Sequence, residues 1–246
     1  MGPTTCTLSF LMIFTFMSHQ LDAQITDPVA TEVWEPEPRV VTSSIGTEAP
    51  SDAIVLFDGT DANHWEHSNG TAVRWIVEGG IMTVAAGTGS IFTKEKFGDC
   101  QLHLEWRAPT VIEGDGQGRG NSGVFLQNRY EVQVLDNYQN RTYSNGQASS
   151  IYKQSIPLVN AMSPPGEWNS YDIIFKAPIF NADGVRTSPG YVTVLHNGVL
   201  TQNHTEIQGT TEYIGLPTND AHDEDVIQLQ DHSNPVSYRN IWIRRL

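Results

Sequence analysis

A carboxylate and an imidazole, each set in strand-like sequence rich in amides, are the residues of this chain best suited to chemistry. Glu131 lies in Tyr130-Glu-Val-Gln-Val-Leu-Asp136, where strand alternation puts Glu131 and Gln133 on one face and Tyr130, Val132 and Val134 on the other. Near the end, Ile227-Gln-Leu-Gln-Asp-His-Ser-Asn-Pro-Val-Ser-Tyr-Arg-Asn-Ile-Trp-Ile243 holds two strand-like runs around a turn with His232, Asn234 and Pro235. The first run delivers Gln228, Gln230, Asp231 and His232 to one end of a sheet. Side chains that hydrogen-bond in fixed directions suit a sugar, which is a dense array of hydroxyls. Glu131 reads either as a cleft carboxylate or as part of a solvated sheet face. His232 reads either as a general acid or base near neutral pH or as a turn residue without a task.

Other residues extend this set. The stretch Glu113-Gly-Asp-Gly-Gln-Gly-Arg-Gly-Asn-Ser-Gly123 lacks the Gly-Lys-Ser/Thr ending of a phosphate loop, and no helix pattern follows it. It is a flexible hairpin loop, or one in which Gly120 and Gly123 let backbone approach a ligand while Arg119 and Asn121 point into a cleft. Glu105 and Arg107 share the polar face of an earlier strand. If that strand neighbours residues 130–135, they complete a carboxylate–guanidinium–amide array with Glu131 and Gln133. Trp168, in Pro164-Pro-Gly-Glu-Trp-Asn169, is an aromatic platform for a sugar ring or a core plug, and Tyr152 and Lys153 could line the same cleft. His103 and His196 read as structural. Asn219-Asp-Ala-His-Asp-Glu-Asp225 gathers oxygen ligands, so calcium or another divalent metal is conceivable without being required. The stretch does not match an EF-hand loop, and a solvated acidic loop is favoured. Asn69, Asn140 and Asn203 each open an N-glycosylation triplet.

The elements that must position these groups are short strands. Period-2 runs occur at residues 53–57, 75–77, 81–84, 90–93, 101–107, 123–127, 130–135, 171–176, 191–195, 199–203, 226–230 and 238–243. Glu78-Gly79-Gly80 and His196-Asn197-Gly198 are hairpin turns. No βαβ rhythm and no internal repeat is visible, which leaves an all-β sandwich of two antiparallel sheets.

The chain has 246 residues and a formal net charge of −14, which argues against a nucleic-acid partner. Residues 8–17 are apolar but too short to span a bilayer, and a small Ala23 follows. Residues 1–23 are therefore expected to be a secretory signal cleaved between Ala23 and Gln24, with a retained membrane anchor as the alternative. No later segment is apolar enough to span. Of the two cysteines, Cys6 falls in that leader, so a mature chain would hold Cys100 alone and stand on its core. Residues 24–50 read as a Pro-rich acidic linker and residues 51–246 as one domain.

Several stretches occur in one order: Val55-Leu-Phe-Asp-Gly59, Gly120-Asn-Ser-Gly-Val-Phe-Leu126, Tyr130-Glu-Val-Gln-Val-Leu-Asp136, Gly166-Glu-Trp-Asn169, Leu195-His-Asn-Gly-Val199, and Leu229-Gln-Asp-His232 with Tyr238-Arg-Asn-Ile241. In these, from residue 53 to the end, the chain resembles the 3-keto-disaccharide hydrolase domain family. The resemblance implies a concanavalin A-like jelly-roll β-sandwich, export to the periplasm or cell exterior, and cleavage of 3-keto-glycosides. A ketone at sugar carbon 3 acidifies the hydrogen on carbon 2. Loss of that proton lets the group on carbon 1 leave, and water then adds back. Such an enzyme needs a base, donors for the enolate oxygen and an acid for the leaving group. Glu131 and His232 are the expected catalytic pair, with Asn121, Gln133, Glu105, Arg107, Trp168 and Gln230 as expected substrate contacts.

Two other functions fit the same residues: a non-catalytic carbohydrate-binding module, and an ordinary glycoside hydrolase. Hydrolysis with two carboxylates fits less well. Gln133 occupies the position two residues after Glu131, and Asp136 falls on the opposite face by alternation.

Overall fold

Cys100–Arg107 shows why this chain makes sheets: Leu102, Leu104 and Trp106 are buried, while Gln101, His103, Glu105 and Arg107 between them are half-exposed. Asn169–Lys176 and Gly190–His196 follow the same alternation. The protein is described from a computed structural model covering residues 2, 26–43 and 48–246; the apolar run at 8–17, Cys6 and the expected cleavage point after Ala23 lie outside the described residues. Two units are separable, Met1–Val40 and Val41–Leu246. In the first, Asp27 caps a single 3-10 turn, Pro28–Thr31, by accepting the Val29 N–H at 3.1 Å.

The second unit is the sandwich. Its larger sheet runs, in spatial order, β13 (Val199–Ile207), β12 (Gly190–His196), β9 (Asn169–Lys176), β6 (Cys100–Arg107), β15 (Ser237–Arg245), β4 (Ile81–Thr83) and β3 (Ile76–Glu78), with β1 (Ile54–Phe57) also pairing with β15. The smaller sheet runs β2 (Trp65–His67), β5 (Ile91–Phe97), β14 (Asp225–Leu229), β7 (Ser122–Leu126) and β8 (Tyr130–Val134). A two-stranded ribbon, β10 (Ile179–Phe180) with β11 (Arg186–Ser188), stands apart. The named strand pairs are antiparallel. This is the expected all-β jelly-roll sandwich. The sequence reading missed β2 and the ribbon, because two or three residues are too few to show a period.

One core lies between the sheets. Leu102, Trp106, Ile173, Phe175 and Val194 from the larger sheet are in one buried cluster with Ile91, Val124, Val132, Ile227 and Leu229 from the smaller. Each such side chain contributes about 1.5–3 kcal/mol by leaving water. Two tyrosine hydroxyls cross this apolar layer. Tyr171 donates to the Gln133 carbonyl at 2.7 Å. Tyr238 donates to Ser122 Oγ at 2.7 Å, and Ser122 donates onward to the Gln230 carbonyl at 2.6 Å. These bonds tie β9 and β15 to the strands that carry the amides and Glu131.

The order β5-β14-β7-β8 brings the end of the chain beside its middle, with Gln228 opposite Phe125 and Leu229 opposite Val124. It also overturns one expectation. β6 belongs to the larger sheet between β9 and β15, so Glu105 and Arg107 do not neighbour β8. Alternation tells which face a residue takes, and it carries no information about which strands are adjacent.

Tyr238→Phe removes the hydroxyl that occupies Ser122 and leaves a buried acceptor short of a donor. Its unfolding free energy in urea should fall by about 1–2 kcal/mol with an unchanged denaturant slope. Unaltered stability would contradict a strut role for this pair.

Candidate active site

The outer face of the smaller sheet holds a cleft of about 680 Å³ at β7 and β8. β8 is buried on both faces, an unusual state for a strand at a sheet edge. Its inner residues Val132 and Val134 enter the core, while Glu131 and Gln133 face the cleft. Its free edge is covered by two chain segments. Ser149 N–H donates to the Gln133 carbonyl (2.9 Å), Gln133 N–H to the Ser150 carbonyl (3.0 Å) and Tyr152 N–H to the Glu131 carbonyl (3.1 Å). From the other segment, Thr211 Oγ1 accepts the Glu131 N–H at 3.0 Å. Gln154 ties the two covers together, donating to the Gly209 carbonyl and accepting the Gln208 N–H, each at 2.8 Å.

Glu131 is 5% exposed, and among the described residues its carboxylate receives no hydrogen bond or ion pair. Burial alone pushes its pKa up to about 8. Room for the carboxylate comes from Gly123. A Cβ there would collide with Glu131 Oε1 and stand 2.9 Å from Phe125 Cε2. Thus this glycine admits the protein's own acid. Gly120, in the left-handed region at φ +54, makes room for the Asp136 and Ala108 side chains.

The amides around Glu131 are largely engaged with one another. Gln133 Nε2 donates to Gln117 Oε1 at 3.0 Å, and Gln117 donates to Thr142 Oγ1 (2.9 Å) and the Gly146 carbonyl (2.8 Å). Asn121 Nδ2 donates to the Gln117 carbonyl at 2.7 Å, and its N–H donates to Asn234 Oδ1 at 2.6 Å. Asn140 exchanges hydrogen bonds with the Gly116 backbone (2.8 and 3.0 Å), so this triplet asparagine fastens the Gly-rich loop. Among the described residues, Gln230 Oε1 is buried without a partner. His232 is exposed and lines the cleft with Gln230 and Asn121.

Five residues expected from the sequence thus line one hollow: Glu131, Gln133, Asn121, Gln230 and His232. Glu105, Arg107 and Trp168 do not. Alternation turns Glu105 and Arg107 away from the core on the larger sheet. There Arg239 donates to Glu105 at 2.7 Å and Asn240 at 3.0 Å, while the guanidinium groups of Arg107 and Arg239 lie 4.7 and 4.1 Å from the Trp168 ring. Trp168 is half-buried there, neither a core plug nor a wall of the Glu131 cleft. Arg119 also departs from expectation: it pairs with buried Asp136 at 2.7 Å and lines a separate hollow.

Tyr152 and Lys153 line the Glu131 cleft rather than one at Trp168, together with Tyr143, Tyr213, Phe125, Thr211 and Gln117. His103 bonds Asp172 at 2.8 Å and stacks on Trp242, and buried His196 meets Asn169 at 3.0 Å with its pKa lowered to about 4 by desolvation. In the acidic loop, Asp225 pairs with Arg129 at 2.7 Å and His222 meets the Tyr130 hydroxyl at 2.6 Å. Among the described residues no group of three or more His, Cys, Asp or Glu side chains could hold a metal ion, and no helix is long and apolar enough to cross a membrane.

Comparison with known proteins adds a lineage to this geometry. Residues 52–244 match the profile of the 3-keto-alpha-glucoside-1,2-lyase-like domain. A candidate glycosyl hydrolase from Parabacteroides distasonis ATCC 8503, known from a crystal structure, is 55% identical, with 89% of this chain and 97% of that one covered and a TM-score of 0.86. Two further candidate glycosyl hydrolases from the same organism are 22% and 20% identical. Each aligns over 79% of this chain, and over 94% and 99% of its own, with TM-scores of 0.58 and 0.55. They share the fold. No curated protein matches the chain.

Burial of Glu131 makes stability depend on pH with a definite sign. The unfolded chain loses this proton near the ordinary value of 4.5, whereas the folded chain keeps it to about 8. The stabilising contribution of the proton is therefore full below pH 4.5 and is lost as pH rises through 8. Relative to Glu131→Gln, the native protein should lose on the order of 1 kcal/mol per pH unit across that window and nothing further above it. Parallel urea titrations of the two proteins check this. A constant difference across the window would show that Glu131 is solvated.

Proposed function

The chain belongs to the 3-keto-alpha-glucoside-1,2-lyase-like domain family, and on that premise we propose that it is an exported enzyme that cleaves 3-keto-glycosides by elimination followed by hydration. One observation carries the choice of chemistry. Among the described residues, Glu131 is the only carboxylate lining the cleft. Hydrolysis by a carboxylate pair needs a second one about 5–10 Å away. The nearest candidate in sequence, Asp136, is turned to the other side and neutralised by Arg119.

A single unpaired carboxylate suits proton abstraction. In its ionised form Glu131 takes the hydrogen from carbon 2 of the sugar. The C–H electron pair becomes an enolate on the carbon 3 oxygen, then a double bond between carbons 1 and 2 as the bond from carbon 1 to the aglycone oxygen breaks. His232, at the mouth, gives that oxygen its proton. Water then adds its hydroxyl to carbon 1 and a hydrogen to carbon 2, which releases the 3-keto sugar. Desolvation makes Glu131 a stronger base when ionised than an exposed glutamate. Asn121 Oδ1 and the unpartnered Gln230 Oε1 are acceptors for the sugar's hydroxyls. Export is part of the reading, on the apolar leader at residues 8–17.

Purified protein given 3-keto-trehalose should release 3-keto-glucose, and Glu131→Gln should lower kcat by about 100-fold or more while remaining folded. Because the base must be ionised, kcat/KM of a His232→Gln variant, in which the proposed acid no longer titrates, should rise with pH to a plateau above about 8. Equal turnover of unoxidised trehalose would favour plain hydrolysis, and binding without turnover would favour a carbohydrate-binding module. A falling limb near pH 8 in that variant would make Glu131 the acid.

A further inference from the structure

The proposed reaction places negative charge on the carbon 3 oxygen, and Glu131 cannot offset it. We propose that Tyr143, backed by Tyr152, and the Lys153 ammonium form the oxyanion site that holds this enolate oxygen. The inference rests on the reading of the function given above. All three residues line the cleft that contains Glu131.

The two tyrosine hydroxyls lie 2.6 Å apart. One proton is used between them, so one hydroxyl still has a proton to give. Tyr152 is 8% exposed and Tyr143 is 40% exposed, so the Tyr143 hydroxyl is the one placed to present that proton to a ligand. Burial, and the negative charge of Glu131 behind it, raise the pKa of both tyrosines, which keeps them protonated as donors. A shared hydrogen bond also polarises the outward O–H.

Lys153 supplies the charge. Its backbone sits in the left-handed region at φ +59, which a long side chain seldom adopts. Its N–H is fastened to the Asn145 carbonyl at 2.7 Å. That turn lays the ammonium 4.4 Å from the Tyr213 ring centroid and 5.7 Å from those of Tyr143 and Tyr152. One of its N–H groups donates to the Tyr213 carbonyl, which leaves two for a ligand. Among the described residues lining the cleft, Lys153 is the only lysine or arginine. The hollow therefore carries one carboxylate and one ammonium that do not pair: a base for carbon 2 and a donor set for the oxygen that becomes charged. A strained backbone at a residue so placed fits a functional constraint.

Proton exchange isolates the step. In D2O, wild type and a 3-keto-glucoside should exchange the carbon 2 hydrogen for deuterium or eliminate, both followed by NMR. Lys153→Met should slow exchange and cleavage together by about 100-fold with KM nearly unchanged, Tyr143→Phe by about tenfold, and Lys153→Arg should recover much of the loss. Urea unfolding confirms that each variant is folded; Tyr143→Phe, which deletes one oxygen, carries the test if Lys153→Met is not. Exchange within threefold of wild type in folded Lys153→Met, or in Tyr143→Phe where that variant carries the test, would overturn the oxyanion site, as would a loss that appears in KM alone. Wild type that neither exchanges nor cleaves would instead overturn the reading of the function, and the oxyanion site with it.

Discussion

The desolvation of one carboxylate organises this site. Glu131 has somewhere to go because Gly123 has no side chain, and it stays there because β8 is fixed on every side. Pairing with β7 sets Phe125 opposite Glu131 and Gly123 opposite Gln133. A slip of one residue would turn Val132 into the cleft and Glu131 into the core, so the register is under strong selection by burial. The tyrosine struts act on the same strands from inside: Tyr171 holds the Gln133 carbonyl, and Tyr238 holds Ser122, next to Gly123.

The covers make the carboxylate dry, and they also carry the residues proposed as oxyanion donors. The segment that closes the edge of β8 with Ser149, Ser150 and Tyr152 is the one that turns at Lys153 and holds Tyr143. The segment that contributes Thr211 brings Tyr213 to Lys153. Folding against β8 and assembling the donors are thus one event. Most of the amides spend their hydrogen bonds on holding the Gly-rich loop, which leaves few polar atoms free for a ligand.

Much of this was legible in the sequence, for identifiable reasons. Strand alternation exposed the two faces of residues 100–107, 130–134 and 169–176, because one face of each lies in the core. Glu131 and Gln133 were legible as a pair on one face, and Gln230 and His232 as residues at a strand end. Adjacency of strands was not legible. Glu105 and Arg107 have the right types and sit on the wrong sheet, where they serve Arg239 and Trp168. The glycines were legible as places of close approach, but the approaching groups are Glu131 and Asp136 rather than a ligand. Tyr143, Tyr213 and Gln117 sit in turns without any period, and only folding shows that those turns meet.

Carbonyl-stretch infrared difference spectra between wild type and Glu131→Gln, followed across pH, test the central claim most directly. A buried lone carboxyl predicts a protonated glutamic-acid band that persists at pH 7 and disappears near pH 8. A band that is already gone above pH 5 would mean that water or a cation reaches Glu131, and the proposed base would lose the raised basicity that desolvation gives it.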